Sequence, residues 1–110
     1  MGIFIVKKEK DGHYYVTLKA KGGHVMLNSI KHLSKSSCKE GIEIIRANAS
    51  DNLKYDYKKT FDGKFYFRLK SVYGEVLGKS KIYETAENRN MGIETVRRIA
   101  PLAGVIDLAS

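Results

Sequence analysis

Two stretches of the chain alternate apolar and polar positions. Tyr14, Val16, Leu18 and Ala20 alternate with Tyr15, Thr17 and Lys19; Phe65, Phe67 and Leu69 alternate with Tyr66, Arg68 and Lys70. A period of two sends successive side chains to opposite faces of a pleat, so each stretch predicts a half-buried β-strand. Residues 3–8, rich in β-branched and aromatic side chains, predict a strand ahead of the first, and residues 53–59 repeat that strand ahead of the second. Asp11-Gly12 and Asp62-Gly63 stand where hairpin turns would join them. Gly22-Gly23 and Tyr73-Gly74 predict the next turns, leading into shorter strands over 24–28 and 75–79. The period then changes. Cys38, Ile42, Ile45 and Ala49 share one helical face, and Ile93, Val96 and Ala100 continue it in a second helix, with Arg89 at the place of Cys38. Ser34 and Thr85 suit N-caps, while Ser37 with Glu40 also fits a capping box and a later start. Pro101 marks the end of the second helix, and residues 105–108 predict a short final strand.

The order of elements repeats because the chain repeats. Shifted by 51 positions, DGHYYVTLKA falls on DGKFYFRLKS, GGHVMLNS on YGEVLGKS, and GIEIIRANA on GIETVRRIA. Roughly a third of the aligned positions are identical without a gap, which reads as two copies of one supersecondary unit sharing a core. The final strand shifts onto the start of the 53–59 strand, which therefore ends one unit and begins the next. By pseudo-symmetry the final strand should lie beside residues 3–8 and close the units around a twofold. Gly41 and Gly92 sit at the same place in the two helices. Mid-helix Gly costs ~1 kcal/mol relative to Ala, so the spacing predicts compensation by close approach of the helix to the sheet or to the other helix.

The expected fold is α+β: duplicated units forming one antiparallel sheet, with two helices packed on one face. It makes a single compact domain over residues 1–110, with repeats at about 3–50 and 54–101 and a closing strand at 104–108.

The segments that carry the repeat, DGKFYFRLKSVYGEVLGKSKIYETAENRNMGIETVRR and its counterpart in the first half, resemble the YegP-like family of small bacterial proteins. That family is a domain-of-unknown-function group in which tandem copies are common. Its pattern is a Gly turn, Phe/Tyr-x-Phe-x-Leu-Lys-Ala, Gly-Glu-x-Ile-x-x-Ser, a Tyr, and a Gly-Ile-x-Ser-Val-Lys helix. The resemblance implies a β(3)-α-β unit used twice in one sheet with exchanged terminal strands. It implies no activity, cofactor or catalytic residue. This chain departs from the pattern at His32, where the family has a Tyr that Tyr83 keeps, and at Gly22 and Tyr73, where it has Asn before Gly.

Charge and composition narrow the function without naming it. The 110 residues hold 20 Lys plus Arg against 12 Asp plus Glu, a net +8 shared equally by the halves, which admits an acidic partner. No apolar run approaches the ~20 residues of a membrane span. Met1-Gly2 opens the chain without a basic leader, and Val6 stands where a myristoylation motif needs Ser or Thr. One cysteine permits no internal disulfide and fits a reducing cytoplasm, and one Cys with three scattered His makes a poor zinc set. Neither a metal nor a cofactor is expected.

The alternation itself selects the candidate site. With Val16, Leu18, Phe67 and Leu69 turned to the helices, Tyr15, Thr17, Lys19, Tyr66, Arg68 and Lys70 share the opposite face. The 53–59 strand would add Lys54, Asp56 and Lys58 to it. Cations neutralise phosphates and aromatics stack on bases, as on sheets that hold single-stranded nucleic acid. The same pattern also arises in a strand that is simply kept soluble. The partner expected is a nucleic acid or an acidic protein, with a weak homodimer as another possibility. Cys38 could act as a nucleophile with His24 or His32 as its base, or be a small buried hydrophobe. Glu43 and Glu94 have Arg46 and Arg97 three residues on, an ordinary surface pairing. Without a convergent polar constellation, the sequence predicts a non-enzymatic interaction or binding module.

Overall fold

Both alternating stretches are strands in the computed structural model, which describes residues 2–109; Met1 of the opening Met-Gly pair lies outside them. The first unit runs β1 (Gly2–Lys8), β2 (Tyr14–Ala20), β3 (Val25–Ser29) and α1 (Lys35–Asn48). The second runs β4 (Tyr55–Lys59), β5 (Phe65–Lys70), β6 (Val76–Lys79) and α2 (Ala86–Ile99), and β7 (Gly104–Asp107) follows. Ser34 caps α1 by accepting from the Ser37 amide at 3.0 Å, and Thr85 caps α2 by accepting from the Asn88 amide at 3.0 Å. The earlier of the two possible starts is therefore the one α1 uses.

The strands form one seven-stranded sheet in the order β4-β5-β6-β3-β2-β1-β7. Each unit contributes an antiparallel meander, and the units meet where β3 runs antiparallel to β6. Asn28 faces Lys79 at that seam. These residues are each other's counterparts under the 51-residue shift, so the pseudo-twofold passes between them. Ser29 and Ser80 turn the chain off β3 and β6 in the same way. Ser29 Oγ accepts from the Val16 amide at 2.8 Å, and Ser80 Oγ from the Phe67 amide at 2.9 Å.

β7 lies beside β1, as the duplication predicts, and completes the edge of the other unit. It runs parallel to β1, so the sheet is mixed where a wholly antiparallel one was expected. The direction follows from the repeat. Residues 104–107 and β1 both shift onto the segment around β4, so both are images of one strand and point the same way.

Both helices cover the same face. Phe4, Val6, Val16, Leu18, Phe67 and Leu69 from the strands meet Cys38, Ile42, Ile45, Ile93, Val96 and Ile99 from the helices in one buried cluster. Each such large side chain contributes roughly 1.5–3 kcal/mol on burial.

Two local expectations change. Residues 53 and 54 are not strand. The Asp51 carboxylate accepts from the Leu53 amide at 2.9 Å, setting a 3-10 turn over Asn52–Lys54, and β4 begins only at Tyr55. The compensation at Gly41 and Gly92 is a side chain rather than neighbouring backbone. The ring of His32 fills the space above Gly41, and the ring of Tyr83 that above Gly92.

Candidate functional site

The face opposite the helices is assembled by register. One row of directly paired residues crosses the whole sheet: Asp56, Arg68, Lys79, Asn28, Thr17, Ile5 and Ile106. Lys58 pairs with Tyr66 on one side of that row, and Tyr15 with Lys7. Lys19 pairs with Ile3 on the other. Of the predicted residues, Tyr15, Thr17, Lys19, Lys58, Tyr66, Arg68 and Lys70 do share this face. Lys54 does not. The 3-10 turn removes it from the strand, and its ammonium pairs with Asp51 at 2.9 Å. Thr17 is on the face but only 1% exposed, its hydroxyl donated to Asn28 Oδ1 at 2.7 Å, so it shapes the surface without presenting a group.

The structure adds Lys7 and Lys79, which the sequence reading missed. Phasing β1 on buried Phe4 and Val6 would have found Lys7. Lys79 is set opposite Arg68 by the β5–β6 register, which shifts between Leu69 and Lys70 and which no single-strand period reveals.

On this face the strands carry six cations, Lys7, Lys19, Lys58, Arg68, Lys70 and Lys79, against one carboxylate, Asp56. The two helices on the other side carry six cations against four carboxylates. The excess charge is thus concentrated on the bare side of the sheet. Asp56 engages two of its cations, Lys70 at 2.9 Å and Arg68 at 2.9 Å. Hydrogen bonds from Lys70 and Arg68 outweigh desolvation and hold its carboxyl below the usual value. Lys7, Lys19, Lys58 and Lys79 form no ion pair among the described residues. Lys79 lies 5.2 Å from the Tyr66 ring centre and Lys7 5.9 Å from that of Tyr15, so each ring has a cation over one face.

The other candidates occupy structural places. Cys38 is buried against the sheet, and desolvation, with Asp107 nearby, raises its thiol pKa, which disfavours the thiolate a nucleophile needs. His32, one of its two candidate bases, has its Nδ1 paired with Ser37 Oγ at 3.0 Å. Glu43 pairs with Arg46 at 3.3 Å and Glu94 with Arg97 at 2.6 Å, as the spacing predicts. Arg89, at the place of Cys38, reaches outward instead. It donates to the Lys58 carbonyl at 2.9 Å and lies over the Tyr57 and Phe65 rings, tying α2 to the β4 edge. No three His, Cys, Asp or Glu side chains converge as a metal site among the described residues. No helix among them is long and apolar enough to cross a membrane.

These features define a class: a duplicated α+β domain with an exchanged closing strand and one basic, uncovered sheet face. The chain belongs to the family described as domain of unknown function (DUF1508), whose pattern matches residues 9–56 and 62–107, one segment in each unit. It is 36% identical over 104 residues to the UPF0339 protein PA0329 of Pseudomonas aeruginosa, covering 94% of each chain. It is 36% identical over 96 residues to the UPF0339 protein YegP of Escherichia coli, covering 87% of each. The fold matches the solution NMR structure of the Escherichia coli protein of unknown function yegP with a TM-score of 0.93 at 34% identity, covering 99% of this chain and 94% of that one. It matches the UPF0339 protein SO3888 of Shewanella oneidensis with a TM-score of 0.92 at 28% identity, covering 98% and 92%.

Proposed function

We propose that the chain is a non-enzymatic binding module that holds single-stranded nucleic acid on its bare sheet face. The carrying observation is the segregation of charge: six cations to one carboxylate on that face, six to four on the helices. Low-dielectric protein behind a one-signed surface raises the local potential and draws in polyanions. The four lysines outside the Asp56 cluster supply the phosphate contacts. Tyr15 and Tyr66 supply flat surfaces on which a base can replace a lysine.

Titration of labelled oligo-dT and oligo-rU of ~15 nucleotides at about 50 and 200 mM salt tests this. Four neutralised phosphates predict a log–log salt slope of about −3. Replacing Lys19, Lys58 and Lys79 together by Ala should flatten the slope and abolish most of the affinity. Arg68 and Lys70 are poorer targets, since their loss leaves Asp56 without partners. Tyr15→Ala with Tyr66→Ala separates stacking from charge: an unchanged affinity leaves a purely electrostatic polyanion surface. Absence of binding at the lower salt sinks the proposal.

A further inference from the structure

On the helix side of the sheet, away from the basic face, the duplication leaves two related clefts. One, of about 360 Å³, opens between the β2–β3 hairpin of the first unit and α2 of the second, and Met26, Met91, Tyr83, Lys81, His24 and Asn88 line it. The other, of about 200 Å³, opens between β6 of the second unit and α1 of the first. Its lining is the first cleft shifted by 51 positions: His32 for Tyr83, Ile30 for Lys81, Glu75 for His24, Glu40 for Met91. The skeleton is common and the charge is not. The Tyr83 cleft has a lysine and a histidine in its lining and no carboxylate; the His32 cleft has two carboxylates and no lysine or arginine.

A second observation distinguishes the Tyr83 cleft. Tyr83 is only 9% exposed, and its buried hydroxyl has no hydrogen-bond partner among the described residues. In the twin, His32 Nδ1 is paired with Ser37 Oγ; Asn88 stands at the equivalent position and leaves Tyr83 unpaired. Buried polar groups in native proteins nearly always have a partner, so one without invites a ligand to supply it. Burial raises the phenol pKa, so the group remains an O–H donor at neutral pH. The Lys81 ammonium lies 5.2 Å from the centre of the same ring and forms no ion pair among the described residues. A cation and an unused donor therefore meet on one residue, beside two polarizable methionines that suit a flat apolar surface.

We propose that the Tyr83 cleft binds a small aromatic carboxylate. The ligand ring lies against Met26 and Met91, and its carboxylate faces Lys81 and accepts the Tyr83 hydroxyl hydrogen. The exposed Met91 and Asn88 side chains move aside to admit it. The volume is within the lower part of the range for small-molecule sites.

Benzoate is the probe, with benzyl alcohol and benzamidine as neutral and cationic analogues, read on the full chain by amide NMR shifts. Benzoate should move the amides of Asn88, Met91 and Gly92 saturably and leave those of Ser37, Glu40 and Gly41 unchanged. Benzyl alcohol and benzamidine should bind there at least about tenfold more weakly. Tyr83→Phe keeps the ring and removes only the unpaired hydroxyl, so it should retain the wild-type Tm or exceed it while weakening benzoate about tenfold. No saturable shift at millimolar benzoate, equal binding of benzyl alcohol, equal shifts in the two clefts, or unchanged affinity in Tyr83→Phe would each overturn the proposal.

Discussion

Gly92 and Gly41 hold equivalent places in the two helices yet face different rings, and the difference can be measured. A Cβ on Gly92 would run into Tyr83 Oη and lie 2.8 Å from Tyr83 Cζ and 3.3 Å from Phe67 Cε2. That ring cannot retreat. Its backbone is bridged to Phe65 through bonds of 2.9 and 2.7 Å, and it stacks on Phe67 with ring centres 6.4 Å apart. A Cβ on Gly41 would meet only the His32 ring, at 3.0 Å; the backbone of His32 is bridged to Tyr14 in the same way, but its ring is smaller, partly exposed and held by one bond to Ser37 Oγ, so it can give by a few tenths of an ångström. Against either contact stands the helix propensity of Ala over Gly, ~1 kcal/mol. Gly92→Ala should therefore destabilise by about 2 kcal/mol through overpacking, and Gly41→Ala should fall within about 1 kcal/mol of wild type. Urea unfolding of the two variants checks this. Adding Tyr83→Phe to Gly92→Ala should recover part of the loss, since it removes the nearest obstructing atom. The pair of glycines was legible in the sequence, and so was the need for a close neighbour. The neighbour's identity was not, because it depends on the bridge that fixes Tyr83 ahead of α2.

At the scale of elements, β7 is held by charge as well as by strand pairing. All four of its residues are exposed, and among the described residues β1 is its sole strand partner. What fastens it is a clasp to α1. Asp107 accepts Lys35 at 3.2 Å and Lys39 at 3.3 Å, Lys35 also donates to the Ala109 carbonyl at 2.6 Å, and Arg46 donates to the Ala103 carbonyl. Burial opposes ionisation of Asp107, but the bonds from Lys35, the Ala109 amide and Lys39 prevail and hold its carboxyl below the ordinary value. A carboxyl depressed on folding contributes stability that is present above its unfolded pKa, about 4, and lost as the pH falls through the folded one. Acid should therefore loosen β7 before the core. Asp107→Asn should do so at neutral pH. The expected readout is faster exchange, corrected for intrinsic rate, of the Leu108 amide, which donates to the Val6 carbonyl at 2.9 Å. Amides of Leu18 and Leu69 should stay protected. Equal protection of Leu108 in wild type and variant would show that strand pairing alone holds β7. The closing strand and its neighbour were legible from the repeat. Its lysine clasp was not, because Lys35, Lys39 and Asp107 are ordinary surface charges until the fold joins residues more than sixty apart. Conversely, the alternation of residues 53–59 misled about Leu53 and Lys54, since a period-two pattern does not register that Asp51 bonds its own backbone into a turn.

In the whole molecule the 51-residue shift accounts for more than similarity. It places the twofold at the Asn28–Lys79 seam, sets the direction of β7, and makes two clefts that differ in charge. Which residues share a sheet face was readable from each strand separately. How the units join was not, and the join is what sets Asn28 beside Lys79 and runs the row on from the second unit into the first. The join also means that neither copy is complete by itself. The first unit takes β7 from the second, α1 packs on β5 and β6 as well as on β1 and β2, and α2 packs on β3 as well as β5. A unit of about fifty residues buries too small a fraction of its surface to offset its chain entropy. Separated after Ser50, fragments 1–50 and 51–110 should each lack a cooperative thermal transition by circular dichroism. Mixed in equal amounts they should regain one, with a midpoint that rises with concentration because association now supplies what the covalent link supplied before. Lys35→Ala with Lys39→Ala should lower that midpoint more in the mixture than in the intact chain, since β7 is then one of the contacts that must bring the fragments together. A cooperative transition in fragment 1–50 alone would mean that the first unit closes its own core and that the exchange is ornamental to its stability.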